Sequence, residues 1–197
     1  MRKSVDFFFD VGSPSSYLAW TQLPNLCASH GADLVYRPML LGGVYQATGN
    51  ASPATIPVKG RYTQMDYERH ARRYGVPFQG NPHFPVITLF LMRAVTGIQL
   101  RRPEQLQQLL GCVFKALWID ALNLNEPQLT ADILKAGGFD PAEIERLTQD
   151  PETKAALKAT TEEAVKRGVF GAPTIFVGDQ MFFGQDRMDF VREALVA

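Results

Sequence analysis

FFFDVGSPSSYLAW, residues 7–20, changes character twice. A run of bulky apolar residues stops at Asp10 and Gly12, Ser-Pro-Ser-Ser follows at 13–16, and apolar residues return from Tyr17 onward. The segment 5–9 is too continuously apolar for a strand with one wet face, so it predicts a strand buried on both, inside an α/β sheet covered by helices. Over 14–30 the residues Tyr17, Leu18, Trp20, Leu23, Leu26 and Cys27 keep approximate helical spacing, with a kink expected at Pro24. A second strand is predicted over 34–39, and the three elements read as β-α-β.

Further along, the pattern becomes helical. Between about Lys59 and Arg167, helices separated by breakers are expected over 62–74, 86–96, 103–122, 130–136, 141–148 and 152–165. DPAEIERL and DPETKAAL carry start signals: Asp140 and Asp150 as N-caps, proline at the first helical position and glutamate in the first turn. Strand character returns at Thr174–Val177 and Gln180–Phe183, which flank the two-residue turn Gly178-Asp179 of a hairpin, and a last helix is expected over 186–195. Two β-rich ends around a helical middle predict one α/β domain, 1–58 with 168–197, interrupted by an all-helical domain over 59–167.

With 197 residues the chain is long enough to bury roughly two thirds of the surface its unfolded form exposes. Hydrophobic residues make up 46% and charged residues 20%, a balance that excludes extended disorder. Acidic and basic side chains cancel at 20 each, so nothing in the overall charge favours nucleic acid or an anionic membrane, and a small molecule is the expected partner. No window approaches ~18 uncharged apolar residues, which argues against a membrane span. Asp6 and Asp10 interrupt the first apolar run, so no secretory leader is expected and the cytoplasm is the expected compartment. Cys27 and Cys112 come without a CxxC or any metal-ligand spacing; both are expected to be reduced packing residues, and no metal site is expected.

Ser13 followed by Pro14 satisfies the local demands of a helix start, and capping alone would account for both. A helix that starts behind a buried strand is also an anion site, because its first N–H groups are free and its dipole end is positive. No Ser-His-Asp pattern and no G-x-S-x-G elbow accompanies Ser13, so its hydroxyl is better read as a donor than as a nucleophile. A hydroxyl that donates to a thiolate lowers that thiol's pKa from ~8.5, which would put the reactive sulfur on a bound thiol.

The stretch resembles the thioredoxin-fold active-site region in which CxxC has become S-x-x-S, as in kappa-class glutathione transferases and the bacterial 2-hydroxychromene-2-carboxylate isomerases. GNASP at 49–53, PVKGRY at 57–62, GVFGAPT at 168–174 and FFGQDR at 182–187 agree with the same family in the same order, so the resemblance spans nearly the whole chain. It implies a thioredoxin-like domain with an inserted helical domain, glutathione as cofactor, a small aromatic or conjugated acid as substrate, and a homodimer. Ser13 would face the glutathione sulfur with Pro14 and Ser15 beside it, while Asn50 and Lys59 would sit near the glycine carboxylate. Ala172 and Pro173 match the loop in which this fold holds a cis-proline, the backbone of the preceding residue pairing with the cysteinyl part of the ligand like an added strand.

Gln185 and Asp186 would open the last helix, its free N–H groups taking the γ-glutamyl carboxylate and the Asp186 side chain the neighbouring amine. The family usually has Ser or Asn where Gln185 stands, a departure that is harmless if backbone N–H groups do the binding. His83 lies near the place where the family builds its second-substrate pocket, although a lone loop histidine is more often exposed or structurally paired; Tyr45, Tyr62 and His70 are further pocket candidates. The implied activity is glutathione-dependent isomerisation of the hydroxychromene-carboxylate type. A kappa-like transferase or peroxidase using the same thiolate is the alternative, and a non-catalytic glutathione or small-acid binding module is the rival outside enzymes. Disulfide exchange is disfavoured, since Ser13 and Ser16 fill both redox positions.

Overall fold

The computed structural model describes residues 2–197. At its centre is a four-stranded sheet of order β2-β1-β3-β4, formed by Ser4–Phe9 (β1), Asp33–Pro38 (β2), Thr174–Val177 (β3) and Gln180–Phe183 (β4). Helix α1 (Pro14–Ser29) crosses from β1 to β2, which run parallel with Ser4 opposite Asp33 and Phe9 opposite Pro38. On the other side of β1, β3 pairs antiparallel, with Val5 opposite Val177, and turns through Gly178 and Asp179 into β4. The first and last parts of the chain thus share one sheet, as the two β-rich ends predicted.

Period-two alternation along β1 divides the packing between two faces. Val5, Phe7 and Phe9 face α1, α4 (Leu89–Arg101), α5 (Leu106–Trp118) and α9 (Met188–Val196) in one apolar cluster. That cluster runs unbroken from Ile175 of the sheet to Leu109 and Phe114 of α5, Leu134 of α6 (Pro127–Ala136) and Ile144 of α7 (Pro141–Gln149). Phe8 faces the other way, where Met39, Val44 of α2 (Leu41–Thr48), Ala164 of α8 (Pro151–Lys166), Val169 and Phe176 close a second cluster. Helix α8 therefore covers the sheet although its sequence lies in the helical middle. Arg167 stacks 3.8 Å from the Phe176 ring centroid and bonds Asp6 Oδ2 at 2.7 Å, a charge kept at the sheet's rim by an aromatic face and a carboxylate.

Several boundaries differ from the sequence expectation. Helix α3 (Pro57–Tyr74) starts at Pro57 rather than 62, because its first turn is exposed and offers no apolar stripe to read. Helix α4 starts at Leu89 rather than 86, after a loop with a cis Phe84–Pro85 bond. The region expected as one helix over 103–122 is a 3-10 turn, Pro103–Gln105, followed by α5, which ends at Trp118; Ala121, at φ 53, stands in the left-handed region that no α-helix continues through. The last helix begins at Met188, after a 3-10 turn at Gln185–Arg187. Helix α2 had no sequence signal, as Gly42 and Gly43 stand at its opening and no side chain of its own caps it. In α1 the helix runs on through Pro24 to Ser29.

Candidate active site

Where β1 gives way to α1, a buried carboxylate organises the chain. Asp10, 1% exposed, accepts hydrogen bonds from the Gly12 N–H at 2.9 Å, the Leu41 N–H at 2.9 Å and Thr88 Oγ1 at 3.0 Å. These donors belong to the approach to α1, the first residue of α2 and the residue before α4, so one side chain holds three segments around the site. Burial pushes the Asp10 carboxyl above its ordinary value near 3.8, against the pull of its three donors. Gly12 is required by the close approach here: a Cβ at that position would lie 2.6 Å from Thr88 Cγ2.

Ser13 closes α1. Its extended backbone, φ −95 and ψ 116, lets Oγ accept the Ser16 N–H at 3.1 Å, while its own proton is donated to the Ala172 carbonyl at 3.1 Å. The peptide bond from Ala172 to Pro173 is cis. Although only 5% exposed, Ser13 lines the mouth of a cavity of about 1180 Å³. Beside it the N–H groups of Ser15 and Ala172 have no hydrogen-bond partner among the described residues. Ser16, the other serine of S-x-x-S, is fully buried, and its Oγ is likewise unpartnered there. The two serines are not equivalent: only the first meets the cavity.

Ser13, Pro14, Ser15, Asn50, Ala172, Gln185 and Asp186 all line this one cavity, from four separate stretches of chain. Pro173 is buried behind that wall, its carbonyl accepting the Gly184 N–H at 3.0 Å. Lys59 is not part of the lining; it is exposed on the first turn of α3, one residue before Gly60, which does line the cavity. Asn50 is already engaged, donating from Nδ2 to the Phe170 carbonyl at 2.8 Å, in the distant segment before β3, and accepting the N–H of its neighbour Ala51 at 2.9 Å. Gln185, 5% exposed, accepts the Ser15 hydroxyl on Oε1, and its carbonyl accepts the Tyr74 hydroxyl at 2.6 Å. Asp186 does not cap the last helix; its Oδ2 pairs with Arg187 Nη1 at 2.5 Å.

Of the weaker candidates, Tyr45 lines the cavity, whereas Tyr62, His70 and His83 do not. Residues that the sequence did not single out complete the wall: Asn81, Phe84, Val86, Ile87 and Trp118 on one side, Gln64 and Tyr67 of α3 on another. Asn81 is spent on structure, with Nδ2 donating to the Leu117 and Leu122 carbonyls at 3.0 and 2.9 Å and Oδ1 accepting the His83 N–H at 2.8 Å. The hydroxyls of Tyr45 and Tyr67 have no hydrogen-bond partner among the described residues, and burial pushes Tyr67 up to about 12, so it remains a neutral donor near pH 7. Burial also pushes the Cys27 thiol up to about 11 and raises Cys112, which fits two inert packing thiols.

Residues 4–196 match the family described as a DSBA-like thioredoxin domain. The chain belongs to this family. Over its full length it is 32% identical to a 2-hydroxychromene-2-carboxylate isomerase of Sphingobium xenophagum, 100% of each chain being covered. It is 29% identical to glutathione S-transferase kappa 1 of Homo sapiens, over 99% of this chain and 92% of that one. A solved 2-hydroxychromene-2-carboxylate isomerase matches with a TM-score of 0.82 at 29% identity, covering 98% of this chain and 94% of the other. This DsbA-like chain therefore has the α/β thioredoxin fold expected from its S-x-x-S stretch, and its relatives are enzymes. Its donors suit a peptide-like thiol: Ala172 offers a free N–H edge beside a hydroxyl that already has a carbonyl to leave, and Ser15 adds a second free N–H at the start of α1.

Proposed function

We propose that this DsbA-like protein is a glutathione-dependent isomerase of the 2-hydroxychromene-2-carboxylate type. The observation that carries the proposal is Ser13, whose hydroxyl sits between the α1 N-terminus and the Ala172 carbonyl at the wall of a large cavity. Glutathione bound there would supply a thiolate able to add to a conjugated acid and to leave again once a former double bond has rotated. The Ser13 proton, held at rest by a neutral carbonyl, would turn to the sulfur anion, since charge-assisted hydrogen bonds are roughly twice as strong as neutral ones. The Ser16 N–H donated into Ser13 Oγ polarises the hydroxyl in the same direction. Ser15 N–H and the α1 dipole add positive potential at that point.

Ala172 would hold the cysteinyl segment, with Pro14 beside it and Pro173 backing the wall from behind. Gln185 and Asp186 would hold the γ-glutamyl end, and Asn50 with Lys59, whose long side chain starts outside the lining, would face the glycine carboxylate. Tyr45 and Tyr67 would donate to oxygens of the acid substrate. A cytoplasmic homodimer is the assembly that accompanies this proposal. Ser13→Ala is expected to raise the pKa of bound glutathione by about one unit, which corresponds to about 1.4 kcal/mol, and to lower turnover about tenfold or more. Wild-type thiol titration and wild-type turnover in that variant would refute the proposal.

A second reading, a kappa-like transferase or peroxidase, is favoured by the wall that Trp118, Phe84, Val86 and Ile87 form. Arg187 is the cation in the lining and is paired with Asp186, so a neutral electrophile fits that wall as well as an acid does. Product analysis separates the two: net loss of glutathione to a halogenated arene or a hydroperoxide supports the transferase, and turnover without consumption supports the isomerase.

A further inference from the structure

A second cavity of about 610 Å³ adjoins the first, and Leu40 and Leu89 line both. It opens between α2, α4 and α8. Leu157, Val165, Ala47 and Gly43 complete its apolar wall, and its charged side carries Arg93, Lys154 and Lys158 against the single carboxylate of Glu162. The wall between the two cavities is pinned, because the Leu40 N–H is donated to Thr161 Oγ1 at 3.0 Å from α8.

Arg93 is the informative residue. It is half-buried and has neither a hydrogen bond nor an ion pair among the described residues. The other half-buried arginines each meet a carboxylate: Arg37 that of Glu163, Arg102 that of Glu143 and Arg167 that of Asp6. A partly desolvated guanidinium without a counter-charge is costly, and a carboxylate satisfies its planar fork best. Lys154 adds a cation whose one partner among the described residues is the Gln149 amide oxygen, at 2.9 Å, while Glu162 lies 3.7 Å from Lys158. Positive charge is thereby concentrated beside an aliphatic wall on a chain whose formal charge is zero.

We propose that this cavity is a second binding site, one that takes small amphipathic carboxylates. The carboxylate lies on Arg93 with Lys154 beside it, and the hydrocarbon part lies against Leu40, Leu89, Leu157 and Val165. The volume falls in the range of roughly 300–1,000 Å³ that small-molecule sites occupy. An aliphatic wall of this extent gives a fully hydrated anion nothing to gain, so the class is an acid with a ring or a short chain attached. The site stands independently of the glutathione chemistry.

The test is an NMR titration of the isotope-labelled full chain with salicylate, octanoate and inorganic phosphate in turn, following the amides of Gly43, Ala47 and Leu157 for this cavity and of Ser15 and Ala172 for the other. Salicylate or octanoate is expected to shift the first set saturably at millimolar concentration, phosphate to leave it unmoved, and the contrast between ring and chain to show which form of the acid fits better. Arg93→Gln and, separately, Ala47→Phe, which fills the cavity from the exposed side of α2, are each expected to weaken that binding about tenfold, leaving shifts at Ser15 as in the wild type. Ala47→Phe keeps the test valid if Arg93→Gln fails to fold. Shifts confined to the Ser15 set, equal binding of phosphate, or wild-type affinity in a folded variant would each overturn the proposal.

Discussion

At Asp10 a single carboxylate meets three donors, and replacing it separates hydrogen bonding from charge. Asp10→Asn keeps one acceptor but turns an amide N–H toward a backbone N–H, which is expected to cost about 1–3 kcal/mol in urea unfolding. The pH dependence has a definite sign. Burial raises the folded-state value above the ordinary 3.8, so the wild-type contribution is fully present below 3.8 and is lost as pH rises through the folded value. The advantage of wild type over Asp10→Asn is therefore widest in acid and narrows toward neutrality; a gap that widened with pH would mean that the three donors outweigh burial. Ser13 was legible in the sequence because capping is local grammar, with its acceptor role satisfied three residues on at Ser16. Asp10 was visible only as an interruption, since its partners Leu41 and Thr88 stand 31 and 78 positions away.

Between elements, one tight junction on the site packs the approach to α1 against the residue before α4. Gly12→Ala would put a methyl 2.6 Å from Thr88 Cγ2, displacing Thr88 from Asp10 at a cost of about 1–3 kcal/mol. Adding Thr88→Ser removes the obstructing methyl and keeps the hydroxyl, so the double variant is expected to recover most of that loss; simple additivity of the two changes in denaturant melts would contradict the steric account. Helices with their own start signals were readable, as at Asp140 and Asp150, whose side chains accept the N–H groups of Ala142 and Glu152. Helix α2 was not, because the side chain that receives its first N–H comes from β1's end and its glycines carry no periodicity. The wall around Trp118 was equally hidden, for a tryptophan that donates to the Val11 carbonyl at 2.9 Å looks in sequence like any other core residue.

Across the molecule, the thioredoxin-like part and the helical insertion share one apolar cluster that reaches from Val5 to Leu134 and Ile144. A separate core in each part would permit two transitions; a cluster that both parts share predicts a single one. Tryptophan fluorescence, which reports on Trp20 and Trp118, and far-ultraviolet circular dichroism are expected to trace coincident unfolding curves, and separated midpoints would show that the insertion melts independently. One oxygen, Ser13 Oγ, caps the start of α1 and, under the proposed function, would also face the sulfur of a guest molecule. Mutation at that codon is consequently constrained from two sides: aspartate would end the helix as well but would repel an anion, and alanine does neither job. On that proposal the side chain must be neutral, accept an N–H and donate onward, which leaves the alcohols and asparagine, a smaller alphabet than the caps at Asp140 and Asp150 have to draw on.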